Sequence, residues 1–310
     1  MPKKTSYALP PCISAPMGKA ASTVNLYLQA IGYAHKLNLR PNSLEGMNKV
    51  KLSTQGATRR NGPPVRKLPI SCEDLVHIRK SLSVEDTDSN ILFCTIALEW
   101  FFMLRRSEYL GRGLIGHSKR TFRHSIRIVD IEPMRLGKRA NWEDEVDSVC
   151  LHLEGSKTDW LNQGTVRTHG RLDPGSPNIS IRIVSNLQTL FRMYPAKAYK
   201  DTHLPFARWG NGVLITACHF AFLIKAAAKA NGLDTDKYTL HSLRSGGATA
   251  LHRATGDLDS AGRFGRWKGK SIHGYLWESH QMITGIAALM TREDGPIIHR
   301  ATNRPHIQMA

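Results

Sequence analysis

The sequence predicts a mainly helical α+β fold: a short helical part, then a larger helical part built around one small antiparallel sheet. Three observations carry this. Apolar residues recur at helical spacing through most of the chain. Alternation of Ile- and Val-rich with polar positions is confined to the stretch between residues 125 and 172. A run of Gly, Pro and polar residues from Ser53 to Pro64 reads as a linker between the two parts.

Taken in order, residues 1–20 carry Pro2, Pro10, Pro11 and Pro16 without periodicity, which predicts a loose arm. From Ser22 or Thr23 an amphipathic helix runs to Leu39, with Val24, Leu26, Leu28, Ile31, Ala34 and Leu37 as its apolar positions. A second short helix is expected over 43–50. These elements and the linker make a first domain, 21–66. The second, 67–310, opens where Ser71 and Asp74 form a capping box for a helix through Leu82. The stretch Ile91–Leu104 is apolar nearly all round, as a buried central helix is, and too short to span a bilayer. Strands are expected over 125–131, 147–153 and, more weakly, 165–172, the last two joined by a hairpin turn at Gly155–Trp160. Helices follow over 181–193 and 213–230, the latter capped by Asn231-Gly232. Ser242 reads as the cap of a further helix, held to the core by Ala248, Ala250 and Leu251. A last helix is expected where Met282, Ile283, Ile286, Leu289 and Met290 fall at helical spacing.

A net charge of +18 over 310 residues favours a polyanionic partner. Up to Lys67 there are eleven Lys and Arg, and Glu45 is the one acid. Such a ratio is too one-sided for an ordinary solvated surface. Within it Lys36, Arg40, Lys49, Lys51, Arg59 and Arg60 are the candidate DNA-binding residues. A membrane-surface role is the rival, but no apolar run reaches spanning length, and Met1-Pro2-Lys3-Lys4 opens nothing like a signal peptide. The five cysteines are odd in number, scattered and without ligand spacing, so they read as reduced thiols in an intracellular protein. No metal and no cofactor is expected.

One stretch concentrates chemistry. His241 and Arg244, three apart, share a helical face and can grip one anion. Phe264-Gly265-Arg266-Trp267 follows, then Tyr275. Upstream, Arg105 and Arg106 stand at the end of the apolar helix with Glu108 close behind, and Lys157 lies in the hairpin turn. This order resembles the tyrosine recombinase (phage integrase-like) family, whose pattern is Arg-x-Ser-Glu, a hairpin Lys, His-x-x-Arg, a His or Trp, then the nucleophilic Tyr. The wording Leu-Arg-Ser-Gly-Gly-Ala-Thr-Ala-Leu and Phe-Gly-Arg-Trp-Lys is most similar to its eukaryotic, Crypton-like branch, found in mobile elements.

The resemblance implies a helical catalytic domain from residue 67, preceded by an abridged core-binding domain that closes on double-stranded DNA. It implies Arg105, Lys157, His241, Arg244, Trp267 and Tyr275 as catalytic residues, with Glu108 supporting Arg105. It also implies a covalent 3′-phosphotyrosyl intermediate, a tetramer on paired sites and, in a eukaryote, a nuclear location. The eight positions from Trp267 to Tyr275 depart from the nine frequent in phage-type members. Two alternatives remain at this point: a DNA-binding protein that has lost catalysis, and a type IB topoisomerase-like enzyme.

Overall fold

The structure is a computed structural model that describes residues 21–42, 44–61, 66–110, 124–155, 159, 161, 163–173, 175, 179–194 and 204–277. The N-terminal arm, Lys157 with most of its turn, and the helix expected over 279–290 lie outside them. The chain divides into two compact units, residues 1–66 and 67–310.

In the first unit, helix α1 (Ala21–Leu37) packs on helix α2 (Asn48–Asn61). The turn between them is held by Asn42, whose side chain accepts the Leu44 N–H at 3.0 Å and faces Gly32 of α1. The second helix differs from expectation: it begins at Asn48 rather than 43 and runs through most of the supposed linker. The hydroxyls there turn back on the helix, Thr54 donating to the Lys51 carbonyl at 2.9 Å and Thr58 to that of Thr54 at 2.9 Å. With those groups satisfied and α1 to pack on, the roughly 1 kcal/mol cost of Gly56 does not break the helix.

The second unit opens with helix α3 (Cys72–Lys80), which has the capping box: the Ser71 hydroxyl accepts the Asp74 N–H at 3.1 Å, and Asp74 accepts that of Ser71 at 2.8 Å. Helix α4 (Thr87–Phe102) is capped by Asp86 and buried continuously from Asn90 to Trp100. It packs against helix α6 (Ile183–Met193) and helix α8 (His241–Thr255), while α3 packs against helix α7 (Ala217–Ala230). A helix with partners around it has no face to leave polar, hence its unbroken apolar sequence. Helix α4 ends at Met103, in the left-handed conformation at φ 49, and Leu104 leads into the short helix α5 (Arg106–Tyr109).

The sheet is antiparallel with order β2-β1-β3-β4, from β1 (Ile131–Arg135), β2 (Lys138–Arg139), β3 (Ser148–Leu153) and β4 (Thr165–Gly170). In β3 Val149, Leu151 and Leu153 face inward. The strand expected over 125–131 begins only at Ile131. Asp130 accepts the Arg127 N–H at 2.8 Å and pairs with its guanidinium, which winds Ile128–Asp130 into a 3₁₀ turn instead. The sheet is tied to α4 by His169 of β4, whose ring meets those of Phe102 at 4.7 Å and Phe101 at 5.4 Å.

Helix α8 comes closest to its neighbours. A Cβ on Gly246 would lie 2.1 Å from the Ile70 carbonyl oxygen, and one on Gly247 2.0 Å from that of Trp100. Only glycine permits that approach. Ser242 is not the cap. It lies inside the helix, and its hydroxyl accepts the Thr239 N–H at 3.0 Å. Helix α9 (Leu258–Phe264), capped by Asp257, leads into the turn Gly265–Trp267.

Candidate active site

Three pieces of the second unit converge. The first is the step from α4 to α5. Arg105 is the residue before α5, and Glu108 accepts both its backbone N–H at 2.8 Å and its guanidinium at 3.0 Å. The second is the start of α8. His241 is exposed, whereas Arg244 on the same face is one of the most deeply buried side chains, 2% exposed. The third runs from Gly265 to Tyr275. Its first turn presents two successive carbonyls to the two arginines: Gly265 accepts Arg244 Nη2 at 2.6 Å, and Arg266 accepts Arg105 Nη2 at 3.3 Å.

Tyr275 stands among these groups. Its ring centroid lies 4.7 Å from the His241 ring and 4.7 Å from the Trp267 ring. The Arg244 guanidinium packs 4.1 Å from the Trp267 ring and 5.6 Å from that of Tyr275. Thr249 of α8 latches the backbone here, its hydroxyl donating to the Tyr275 carbonyl at 3.4 Å and accepting the Trp277 N–H at 3.3 Å. The spacing of Trp267 has a conformational counterpart. Arg266, nine positions before Tyr275, turns its side chain to Glu108, and Trp267, eight before, is the one against the tyrosine.

The electrostatics favour an anion. Arg105 and Arg266 both pair with Glu108, Arg266 in bidentate fashion at 3.0 and 2.8 Å. Burial would raise the Glu108 carboxyl, but the charge and hydrogen bonds of Arg266, with Arg105, outweigh it and hold the group below its usual range. Burial, then the charge of Arg266, lowers the Arg244 guanidinium to about 10, so it stays protonated at neutral pH. Its Nε and Nη1 are buried without a hydrogen-bond partner among the described residues. His241 is exposed overall, yet partial desolvation of its ring, then the charge of Arg244, lowers the imidazole, which favours the neutral form able to accept a proton. Below the site Glu99 of α4 is wholly buried, and burial raises its carboxyl well above the usual range despite the nearby Tyr109 hydroxyl and Arg244 charge.

Beside Trp267 a cleft of about 320 Å³ opens toward β3 and β4, lined by Arg167, Arg263, Arg266 and Lys268 with Asp159 and Thr165. Arg167 is committed within its wall, donating to the carbonyls of Phe264 at 3.1 Å and Arg263 at 2.7 Å.

Of the residues singled out in the sequence, Arg105, Glu108, His241, Arg244, Trp267 and Tyr275 come together here, and Lys157 lies outside the described residues. Lys36, Arg40, Lys49, Lys51, Arg59 and Arg60 are exposed on the first unit. Arg266, Gly265 and Thr249 were not anticipated. Arg266 carried a signal, a second cation directly beside the motif Trp. A Cβ on Gly265 would lie 1.8 Å from the Trp267 ring, a requirement that sequence spacing does not reveal.

No protein-family model and no curated relative matches the chain. Solved structures do. The chain is similar to the XerH site-specific recombinase bound to palindromic difH substrate in a post-cleavage complex, with TM-score 0.48 and 14% identity. That match covers 73% of this chain and 54% of the other, so the chain spans about half of that protein's length. It is also similar to the XerA recombinase, with TM-score 0.46 and 12% identity over 90% of this chain and 79% of that one. A lambda integrase dimer bound to a COC′ core site gives TM-score 0.45 and 15% identity, over 84% of this chain and 62% of that one. No described helix is long and apolar enough to cross a membrane.

Proposed function

We propose that this chain breaks and rejoins double-stranded DNA through a covalent link between Tyr275 and a 3′ phosphate. The observation that carries the reading is the convergence on Tyr275: His241 and Trp267 rings each at 4.7 Å, and the buried Arg244 guanidinium, with two unpartnered nitrogens, at 5.6 Å. A phosphodiester that displaces a ring from the buried guanidinium gives those nitrogens the acceptors they lack. Arg105 and Arg244 stabilise the extra negative charge of the five-coordinate phosphorus. A phenol is a weak nucleophile until a base takes its proton. His241, in its neutral form, takes it. The Tyr275 oxygen then bonds to phosphorus as the bond to the 5′ oxygen breaks. The 5′ oxygen leaves as a hydroxyl, with Lys157 as its proton donor. Rejoining is the reverse, attack of a 5′ hydroxyl on the phosphotyrosyl link, so the energy of the DNA bond is conserved.

In this reading the basic first unit closes on DNA as a clamp, and subunits assemble on paired sites. The wording of residues 243–251 and 264–268 supports a Crypton-like, mobile-element recombinase. The test is covalent capture of nicked suicide DNA from a random-sequence library, which presents many candidate targets at once. Wild-type protein should form a denaturation-resistant adduct. Tyr275→Phe should form none while binding DNA with unchanged affinity. An adduct at wild-type level in that variant removes Tyr275 as nucleophile.

A further inference from the structure

The turn Gly265–Trp267 is where the site's separate pieces meet. The Gly265 carbonyl receives Arg244, the Arg266 carbonyl receives Arg105, and the Trp267 ring packs on both Arg244 and Tyr275. A turn carrying so much must be held in place. Its backbone alone does not favour that, because Arg266 sits at φ 61, in the left-handed region that costs a residue with a Cβ about 1–2 kcal/mol. What opposes the strain is the Arg266 side chain. It reaches back across the site to Glu108, bidentate at 3.0 and 2.8 Å, and Glu108 is 1% exposed. The same carboxylate caps α5 by accepting the Arg105 N–H at 2.8 Å.

From this we infer that Arg266 is a positioning residue, which with Glu108 forms a buried strut locking the Arg105 turn to the Trp267 turn and so fixing both phosphate-binding arginines before DNA arrives. The inference rests on the function proposed above. Arg266 is distinct from the groups assigned to the phosphate: its fork closes on both oxygens of the buried Glu108 carboxylate, whereas the more exposed Arg105 gives that carboxylate one nitrogen. Its fork matters as much as its charge. A lysine cannot span two carboxylate oxygens in one plane. Without the strut the turn relaxes, and both carbonyl seats move together. A misplacement of about 1 Å at a reacting centre can cost about 10²-fold in rate.

The test compares wild-type protein with Arg266→Gly, Arg266→Lys, Glu108→Gln and the double variant Glu108→Gln/Arg266→Gly. Glycine is chosen because it suits φ 61, so the backbone strain is removed along with the side chain and Glu108 keeps Arg105. At saturating DNA, Arg266→Gly should cleave about 10²-fold more slowly with unchanged affinity. Arg266→Lys should recover part of that loss. The double variant should be no slower than the worse single one, because the two groups act as a unit. Hydrogen exchange of the intact proteins should rise together in residues 104–110 and 264–268, in Arg266→Gly and in Glu108→Gln alike. Wild-type cleavage by folded Arg266→Gly overturns the inference, as does a loss confined to affinity, which would make Arg266 a DNA contact. Failure of both Arg266 variants to fold also overturns it, since the strut is then merely structural. A wild-type protein that never cuts DNA sinks the functional reading instead, and the exchange measurement still decides the strut.

Discussion

Arg244 carries a charge into a place that, among the described residues, gives it one hydrogen bond, at 2.6 Å to the Gly265 carbonyl, and two aromatic rings. Burying an ion with so few partners costs stability, and replacing it with an apolar side chain of similar volume is often neutral or favourable. Function and stability therefore pull in opposite directions at this residue. Arg244→Met is expected to leave the melting temperature unchanged or raised, while covalent capture slows by about 10²-fold or more, the scale for losing one transition-state donor. Thermal melts beside single-turnover cleavage check it. A variant that melts lower and cuts normally would make Arg244 a core residue. The residue types at the site were legible in the sequence because each is chemically distinctive: two arginines, an imidazole and a phenol in a fixed order. Arg266 was not legible in role, since nothing in a linear string says that it turns away from Tyr275 toward Glu108, 158 positions upstream.

At the scale of elements, what positions Arg244 is how near α8 lies to α4 and to Ile70. Trp100 of α4 donates its indole N–H to the Ile70 carbonyl at 3.1 Å, and the Ile70 N–H donates to the Ser242 carbonyl at 2.9 Å. Gly246 and Gly247 let α8 close over this seam. Gly247→Ala would put a methyl 2.0 Å from a backbone oxygen, so α8 must move outward. The expected cost is about 1–3 kcal/mol of stability, as for other overpacked cores. Cleavage should fall further than that stability loss explains, because His241 and Arg244 ride on the displaced helix. Denaturant unfolding with cleavage at saturating DNA measures both. A variant of wild-type stability would show the helices free to separate. Elements whose local signals agree with their surroundings were readable: the capping box of α3, the unbroken apolar run of α4, the alternation of β3. The failures came where local and tertiary signals conflict. The polar, Gly-containing run after Ser53 reads as a linker but is helix packed on α1, and the Ile- and Val-rich run before Ile131 is wound into a turn by the Arg127–Asp130 pair.

At the scale of the whole molecule, the net charge of +18 is unevenly placed, and the first unit holds much of it with Glu45 as its one acid. Lys36, Arg40, Lys49, Lys51, Arg59 and Arg60 are all exposed there, and Arg59 and Arg60 fall in the last turn of α2, where the helix dipole favours cations. The unit's sequence holds no Asp or Glu other than Glu45 to oppose their charge. If this unit grips DNA, as the proposed function requires, its contribution is mostly counterion release. Each phosphate neutralised adds about −0.9 to the slope of log K against log salt. Changing all six to Gln in the full-length chain keeps good helix formers in α1 and α2 and removes the charge. If every one of the six meets a phosphate, the slope should flatten by about 5, with affinity falling most at low salt. Titration of fluorescent duplex DNA across salt concentrations gives both slopes. Cleavage at saturating DNA should change little, because the groups around Tyr275 belong to the second unit. A slope that stays where it was would take the first unit off the DNA and leave binding to the basic groups of the second unit alone.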